Sequence, residues 1–286
     1  MTNIMLLFIG DKMSIIKNKL LEIRNLKEIH QGGQKKVFIG EKDNIGEVII
    51  KVGSYNSENT LERIKREINF LNSTNSKYYP RNLDFIIDTD TKQFLIIEEY
   101  IKSINFFDIK SSFNNEKEII SCFIELLKGL SIIWDQRIYH RDIKPDNILF
   151  KSKNEVVIID LGIARFLDLD SLTNTMALRG PCTPVFAAPE QLLNKKNIID
   201  QRTDFFALGI LLTIMLYDIH PFDPNHTNPK KNIVENIISE DPINLCEKFG
   251  ASIEFNKLIQ KLLSKQQYNR FRNYNQIFTY INQNWR

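Results

Sequence analysis

Cysteine is scarce in this 286-residue chain: Cys122, Cys182 and Cys246 stand far apart, and any pairing leaves one over. No CxxC occurs, and His30, His140, His220 and His226 do not join the cysteines at zinc spacing. Neither a disulfide framework nor a structural zinc has support, and a reduced, cytoplasmic chain is the expected setting. An excess of charge of one sign is missing too. Against 35 Asp and Glu stand 38 Lys and Arg, a net charge of only +3. That balance gives no footprint for nucleic acid or a membrane as the main partner. No repeat, low-complexity tract or Pro/Gly-rich linker divides the sequence. GxxxxGK followed by Ser or Thr is missing, as is GxGxxG, so P-loop and Rossmann readings have no basis.

Long apolar runs are also lacking. Ile4 to Ile9 has no basic stretch before it and is too short to span a bilayer, so no signal peptide or anchor is expected. The strongest run, "FFALGILLTIMLY" from Phe205 to Tyr217, lies between Asp204 and Asp218. As a helix it reaches ~20 Å, short of the ~30 Å hydrocarbon core. It reads as a buried core helix.

What is present is a globular composition, 43% hydrophobic and 26% charged, with length for one large domain or two lobes around a cleft. The character changes near residue 100. Before it come short β runs, "KKVFIG", "GEVIIKVG" and "FLIIEEYI", and one helix, "NTLERIKREINFLN". Leu61, Ile64, Ile68 and Leu71 share one stripe of that helix, and Asn59 with Glu62 has the form of a capping box. After Tyr100 helices are expected over 116–136, 204–217, near 233 and over 253–264. One interruption reads as a hairpin: "NILF", the turn "KSKN", then "VVIID". Asn147 and Asp160 stand at its two mouths, which an antiparallel pair brings side by side.

Directly before the hairpin, "HRDIKPDN" supplies Asp142, Lys144 and Asn147. The oxygen donors of Asn147 and Asp160 suit Mg²⁺ shared with phosphate. Asp142 can accept or orient the proton of an attacking hydroxyl, and Lys144 can neutralise a phosphoryl group in flight. An exposed charged turn is the commoner setting for any one such residue. The joint pattern H-R-D-x-K-x-x-N, however, arises by chance at roughly one position in a million or fewer.

With these residues the sequence resembles the eukaryotic-type serine/threonine protein kinase family over about residues 22–284. "HRDIKPDN" is similar to its catalytic loop, "IIDLGIAR" to its metal-binding DFG segment with Leu161 in place of phenylalanine, and "VIIK" to its strand lysine. "CTPVFAAPE" resembles the end of an activation segment, with Cys182 where glycine is usual, and "TDFFALG" the start of the central helix. The resemblance implies an α+β, bilobal protein kinase-like fold, with a small β-rich N-lobe bearing one key helix and a larger, mainly helical C-lobe. An ATP cleft would lie between them. The implied domains are an N-terminal extension over 1–21 and a kinase domain over 22–284, its lobes meeting near 100–101.

The resemblance also implies roles. Asp142 and Lys144 would be catalytic, Asn147 and Asp160 would hold Mg²⁺ (or Mn²⁺), and Lys51 would hold the α- and β-phosphates of ATP. Glu67 would pair with Lys51; Glu62 competes for that role but is better explained as a cap. Glu99 and Ile101 would lie in the hinge beside ATP, leaving Glu98 as gatekeeper at the back of the adenine pocket. A shift of one residue would make it Ile97. A carboxylate buried there needs a partner or a shifted pKa. Thr183 would bond Asp142 and Lys144, Asp204 would brace the catalytic loop, and Glu190 would pair with Arg270, which fits the spacing better than Arg272. Arg141 beside the catalytic aspartate implies control by phosphorylation, with Ser171, Thr173 and Thr175 as candidates.

The phosphate lid departs most. In "HQGGQKKV", His30, Gly32 and Lys35 fall on the three glycine positions, so Gly32, followed by Gly33, keeps the one nearest the phosphates. The implied activity is ATP- and Mg²⁺-dependent phosphoryl transfer to serine and threonine hydroxyls of protein substrates, the chain's own included. No nucleic acid or membrane partner is implied. A nucleotide-binding pseudokinase and a small-molecule kinase on the same fold are the alternatives.

Overall fold

A computed structural model describes residues 15–31, 35–161 and 184–285. The chain divides into two compact units, Met1–Ile101 and Lys102–Arg286. In the first, helix α1 (Ile15–Leu20) precedes strands β1 (Ile23–Gln31), β2 (Lys35–Lys42) and β3 (Gly46–Ser54). Helix α2 (Glu58–Ser73) follows, then β4 (Asn82–Asp88) and β5 (Gln93–Glu99). The strands form one antiparallel sheet in the order β1-β2-β3-β5-β4.

Alternation along β3 and β5 sorts side chains to two faces. Val48, Ile50, Val52, Leu95 and Ile97 form one core with Phe38, Ile23 and, from α1, Ile16 and Leu20. Ile16 and Leu20 lie one helical turn apart, so both reach the sheet. They belong to the segment expected as an extension, yet they complete this core. On α2 the stripe Leu61, Ile64, Ile68 and Leu71 is buried. Its cap is not Asn59 with Glu62: the helix begins earlier, Ser57 Oγ accepts from Thr60 N at 3.3 Å, and Glu62 instead pairs with Lys65 at 2.8 Å. Starting the helix at Glu58 puts Asn59 inside the first turn, where it cannot cap.

The second unit runs α3 (Phe106–Ser112), α4 (Glu116–Trp134), the hairpin β6 (Ile148–Ser152) and β7 (Glu155–Ile158), α5 (Pro189–Leu192) and α6 (Gln201–Tyr217). Then come α7 (Ile233–Ser239), α8 (Leu245–Phe249), α9 (Ile253–Leu262) and α10 (Tyr274–Asn284). Helix α6 is buried on all sides from Thr203 to Thr213, as its unbroken apolar run requires. Each of its fully buried phenylalanines, Phe205 and Phe206, contributes about 1.5–3 kcal/mol of transfer free energy. Gly209 lets α9 approach closely, since a Cβ there would stand 2.9 Å from Leu263. Among the described residues no helix is long and apolar enough to cross a membrane.

Candidate active site

Helix α4 delivers the chain into the loop that carries Asp142. Arg141, directly before it, adopts the left-handed region with φ 63°, a conformation that costs a non-glycine residue of order 1–3 kcal/mol and needs support. Asp204, in the first turn of α6, provides it. Its Oδ2 accepts from the Trp134 indole at 2.8 Å and from His140 N at 2.9 Å, and its Oδ1 accepts from Arg141 N at 2.7 Å. Burial pushes the Asp204 carboxyl up; His140, the Trp134 indole and the two backbone N–H groups pull it back. His140 is fully buried, with Nε2 3.3 Å from the Ile159 carbonyl, which ties the loop to the end of β7.

On this base Asp142, Lys144 and Asn147 are all buried. Asn147 Nδ2 donates to the Asp142 carbonyl at 2.8 Å and to Asp142 Oδ2 at 2.6 Å, while Lys144 Nζ stands 3.6 Å from that same Oδ2. Asn147 ends the single turn Pro145–Asn147 and leads into β6. Ile159 N donates to its carbonyl at 3.0 Å, which sets the next residue, Asp160, beside it at the hairpin mouth. Asp160 is half-buried and left-handed, φ 62°, and Leu161 after it is buried.

These two residues fit a hard cation. With its Nδ2 committed to Asp142, the Asn147 amide turns its oxygen away, and Asp160 adds a carboxylate. Among the described residues no three His, Cys, Asp or Glu side chains gather as a metal cage. Two protein oxygens completed by phosphate and water is the mode that Mg²⁺ favours.

Glu190, on α5, meets Arg270 in a buried two-pronged pair. Nη1 donates to Oε1 at 2.7 Å and Nη2 to Oε2 at 2.9 Å; Thr203 Oγ1 also donates to Oε1, at 2.8 Å. Arg272, the competing choice, lies where its backbone N bonds Gln276. Two residues that sequence reasoning passed over fasten the segment around Glu190. Gln191 Oε1 accepts from Ala188 N at 3.1 Å, and its Nε2 donates to the Arg141 carbonyl at 2.8 Å. His220 Nε2 donates to the Val185 carbonyl at 2.8 Å while its Nδ1 accepts from Phe222 N at 3.1 Å. Neither carries a sequence signal beyond its nearness to a motif.

That wiring needs a neutral imidazole, since a proton on Nδ1 would face the Phe222 N–H. Burial accordingly pushes the His220 pKa down to about 4, against smaller upward pulls from Val185 and Asp223. The unfolded chain, with an ordinary value of about 6.5, binds the proton first. Stability contributed above that value is therefore lost as pH falls toward the folded pKa, by about 2 kcal/mol at a pH of about 5. Urea unfolding at this pH and near neutrality is expected to show that loss in the parent and a smaller one in His220→Gln. Equal losses would contradict it.

In the first unit, Lys51 meets a carboxylate of the sheet itself. Its Nζ lies 2.9 Å from Glu98 Oε1 and 2.7 Å from Oε2, and both residues are buried. The register puts Glu98 on the face of Lys51, whereas Ile97 points into the opposite core. Glu67 is half-buried on α2, and Glu99 is held by Arg81, which donates from its backbone N and from Nε, each at 2.9 Å. Ile101 is half-buried. Gly32, Gly33, Ser171, Thr173, Thr175, Cys182 and Thr183 lie outside the described residues.

The family described as protein kinase domain matches residues 23–285. A probable serine/threonine-protein kinase of Clostridium perfringens is 30% identical over 230 residues, covering 78% of this chain and 32% of its own length. The serine/threonine-protein kinase pkn2 of Myxococcus xanthus is 29% identical over 210 residues, covering 70% of this chain and 25% of its own. The chain thus spans about a quarter to a third of those two relatives. Among solved structures, titin kinase with its flanking domains superposes at a TM-score of 0.68 with 21% identity, covering 92% of this chain and 47% of that one, a likeness of fold. A five-stranded antiparallel sheet followed by a helical unit, the buried Asp142–Asn147 constellation and a match over nearly the whole length converge on one assignment: this chain belongs to the protein kinase family.

Proposed function

We propose that the chain transfers the γ-phosphoryl group of ATP to serine and threonine hydroxyls of protein substrates, its own included. The observation that carries this reading is the buried cluster in which Asn147 and Lys144 both address Asp142, held from below by Asp204. Asp142 accepts the hydroxyl proton as the new oxygen–phosphorus bond forms and the bond from the γ-phosphorus to the ADP oxygen breaks. Lys144 stabilises negative charge on the moving group. Lys51 holds the non-transferred phosphates, with Glu67 assigned by the resemblance as its partner on α2. Asn147 and Asp160 would hold Mg²⁺, which when bound neutralises phosphate charge. Gly32 and Gly33 would line the nucleotide, as would Glu99 and Ile101, and Ser171, Thr173 and Thr175 are the acceptors proposed for self-modification, facing control through Arg141.

The purified chain, incubated with Mg²⁺, γ-labelled ATP and a generic protein substrate, is expected to place label on serine and threonine, and a chelator to abolish the transfer. ATP bound without transfer would sink this reading and favour a signalling module. Label on a small-molecule hydroxyl alone would favour the other kinase class.

A further inference from the structure

We propose that Glu98 is a positioning residue for Lys51: a carboxylate on the sheet sets where the phosphate-binding ammonium stands. The inference rests on the phosphotransfer reading above for its consequence, but on geometry for its existence. Lys51 lies opposite Ile96, and Glu98 lies opposite Ile49, so the two are diagonal neighbours on one face of paired strands. Diagonal side chains of this length reach each other above a sheet. Both Glu98 oxygens approach the ammonium, at 2.9 and 2.7 Å, and only 6% of Lys51 and 3% of Glu98 are exposed.

An ammonium has three N–H donors, and this contact engages it with both oxygens of one carboxylate. Burial withholds much of the water that would otherwise solvate the two charges, and this contact offsets part of that loss. The register fixes the geometry. Strand β3 pairs with β2 on one side and β5 on the other without a shift or bulge. A pair anchored on two adjoining strands keeps its place wherever a helix packs. The resemblance assigns the lysine's partner to Glu67 on α2; the sheet supplies one of its own.

Lys51 holds phosphates that bind alike in ground and transition states, so misplacing it weakens ATP binding more than it slows the chemical step. Glu98→Gln keeps the shape and removes the charge; Glu98→Asp keeps the charge and draws it back by one methylene. The expected result is a KM and Kd for MgATP raised about tenfold in Glu98→Gln and about threefold in Glu98→Asp, with kcat changed less than either. A merely structural loss would lower the active fraction, and with it the apparent kcat, while leaving KM where it was.

Calorimetric binding of MgATP is measured without turnover. If the parent binds MgATP but transfers nothing, the phosphotransfer reading falls while Glu98 is still tested. A readout without nucleotide completes the experiment: acylation of Lys51 by an amine-reactive anhydride, followed by mass spectrometry, with the equally buried Lys144 as internal reference. Loss of its anion favours the neutral, nucleophilic amine, so the Lys51-to-Lys144 labelling ratio is expected to rise about fivefold or more in Glu98→Gln. Should that variant fail to fold, Glu98→Asp, which preserves the ion pair's charge, decides. An unchanged KM and Kd for MgATP in a folded variant, or an unchanged labelling ratio, overturns the proposal.

Discussion

Asp142→Asn is expected to cut kcat for phosphoryl transfer by about 10²–10⁴, the range that a positioned acid–base group supplies. The substitution keeps the size of the side chain and an oxygen for Asn147 Nδ2, which now donates to Asp142 Oδ2 at 2.6 Å. What it removes is the charge. Lys144, 3.6 Å away, loses the anion that holds it beside the reacting group, and the hydroxyl proton loses its acceptor. Affinity for MgATP is expected to stay within about threefold of the parent, since the proposed phosphate contacts come from Lys51 and the metal ligands. Single-turnover transfer from labelled ATP measures the first quantity and calorimetry the second. Undiminished transfer by the asparagine variant would remove Asp142 from the chemistry.

Arg270→Ala carries the largest expected loss of stability, about 3–5 kcal/mol, because it strands a buried carboxylate. Beyond its two bonds to Glu190, Arg270 donates from Nη1 to the Arg202 carbonyl at 2.8 Å and from Nε to the Ser264 carbonyl at 2.8 Å. Its guanidinium also stands 4.9 Å from the Phe206 ring centre. One planar group therefore joins α5, the start of α6 and the chain after α9, and lysine cannot reproduce the fork. Removing both charges in Glu190→Leu with Arg270→Met strands no charge, although Thr203 Oγ1 and the Arg202 and Ser264 carbonyls lose these bonds, so the double variant is expected to be more stable than Arg270→Ala alone. Denaturant unfolding decides, and a double variant as unstable as the single one would show that the pair's neighbours, not the stranded charge, set the loss.

The catalytic loop could be read from sequence because its chemistry admits few residue types at that spacing, and the hairpin after it because its strands alternate cleanly between polar turns. Strands β1 and β4 could not. Both are edges of the sheet, β1 interrupted at two places and β4 at one, so their apolar residues fall out of step with a period of two. The contact of Lys51 with Glu98 is hidden for a different reason. Strand β5 lies beside β3 with β4 outside it, an order the chain does not follow. A diagonal pair across β3 and β5 is invisible until neighbours are known. Glu98 could be flagged as a buried carboxylate in want of a partner, but not given one. Gln191 and His220 act through backbone carbonyls, which any sequence possesses, so no residue pattern announces them.

Helix α1 separates two kinds of boundary. The family match starts at residue 23, yet Ile16 and Leu20 complete the core of the sheet, with α1 packed against β4 and β5, whose apolar side chains would otherwise meet water. Kinship and foldability thus draw their lines at different places along this chain. A fragment begun where the family begins would keep every residue assigned to catalysis and surrender the cover of its own sheet, becoming a sticky surface in search of a partner.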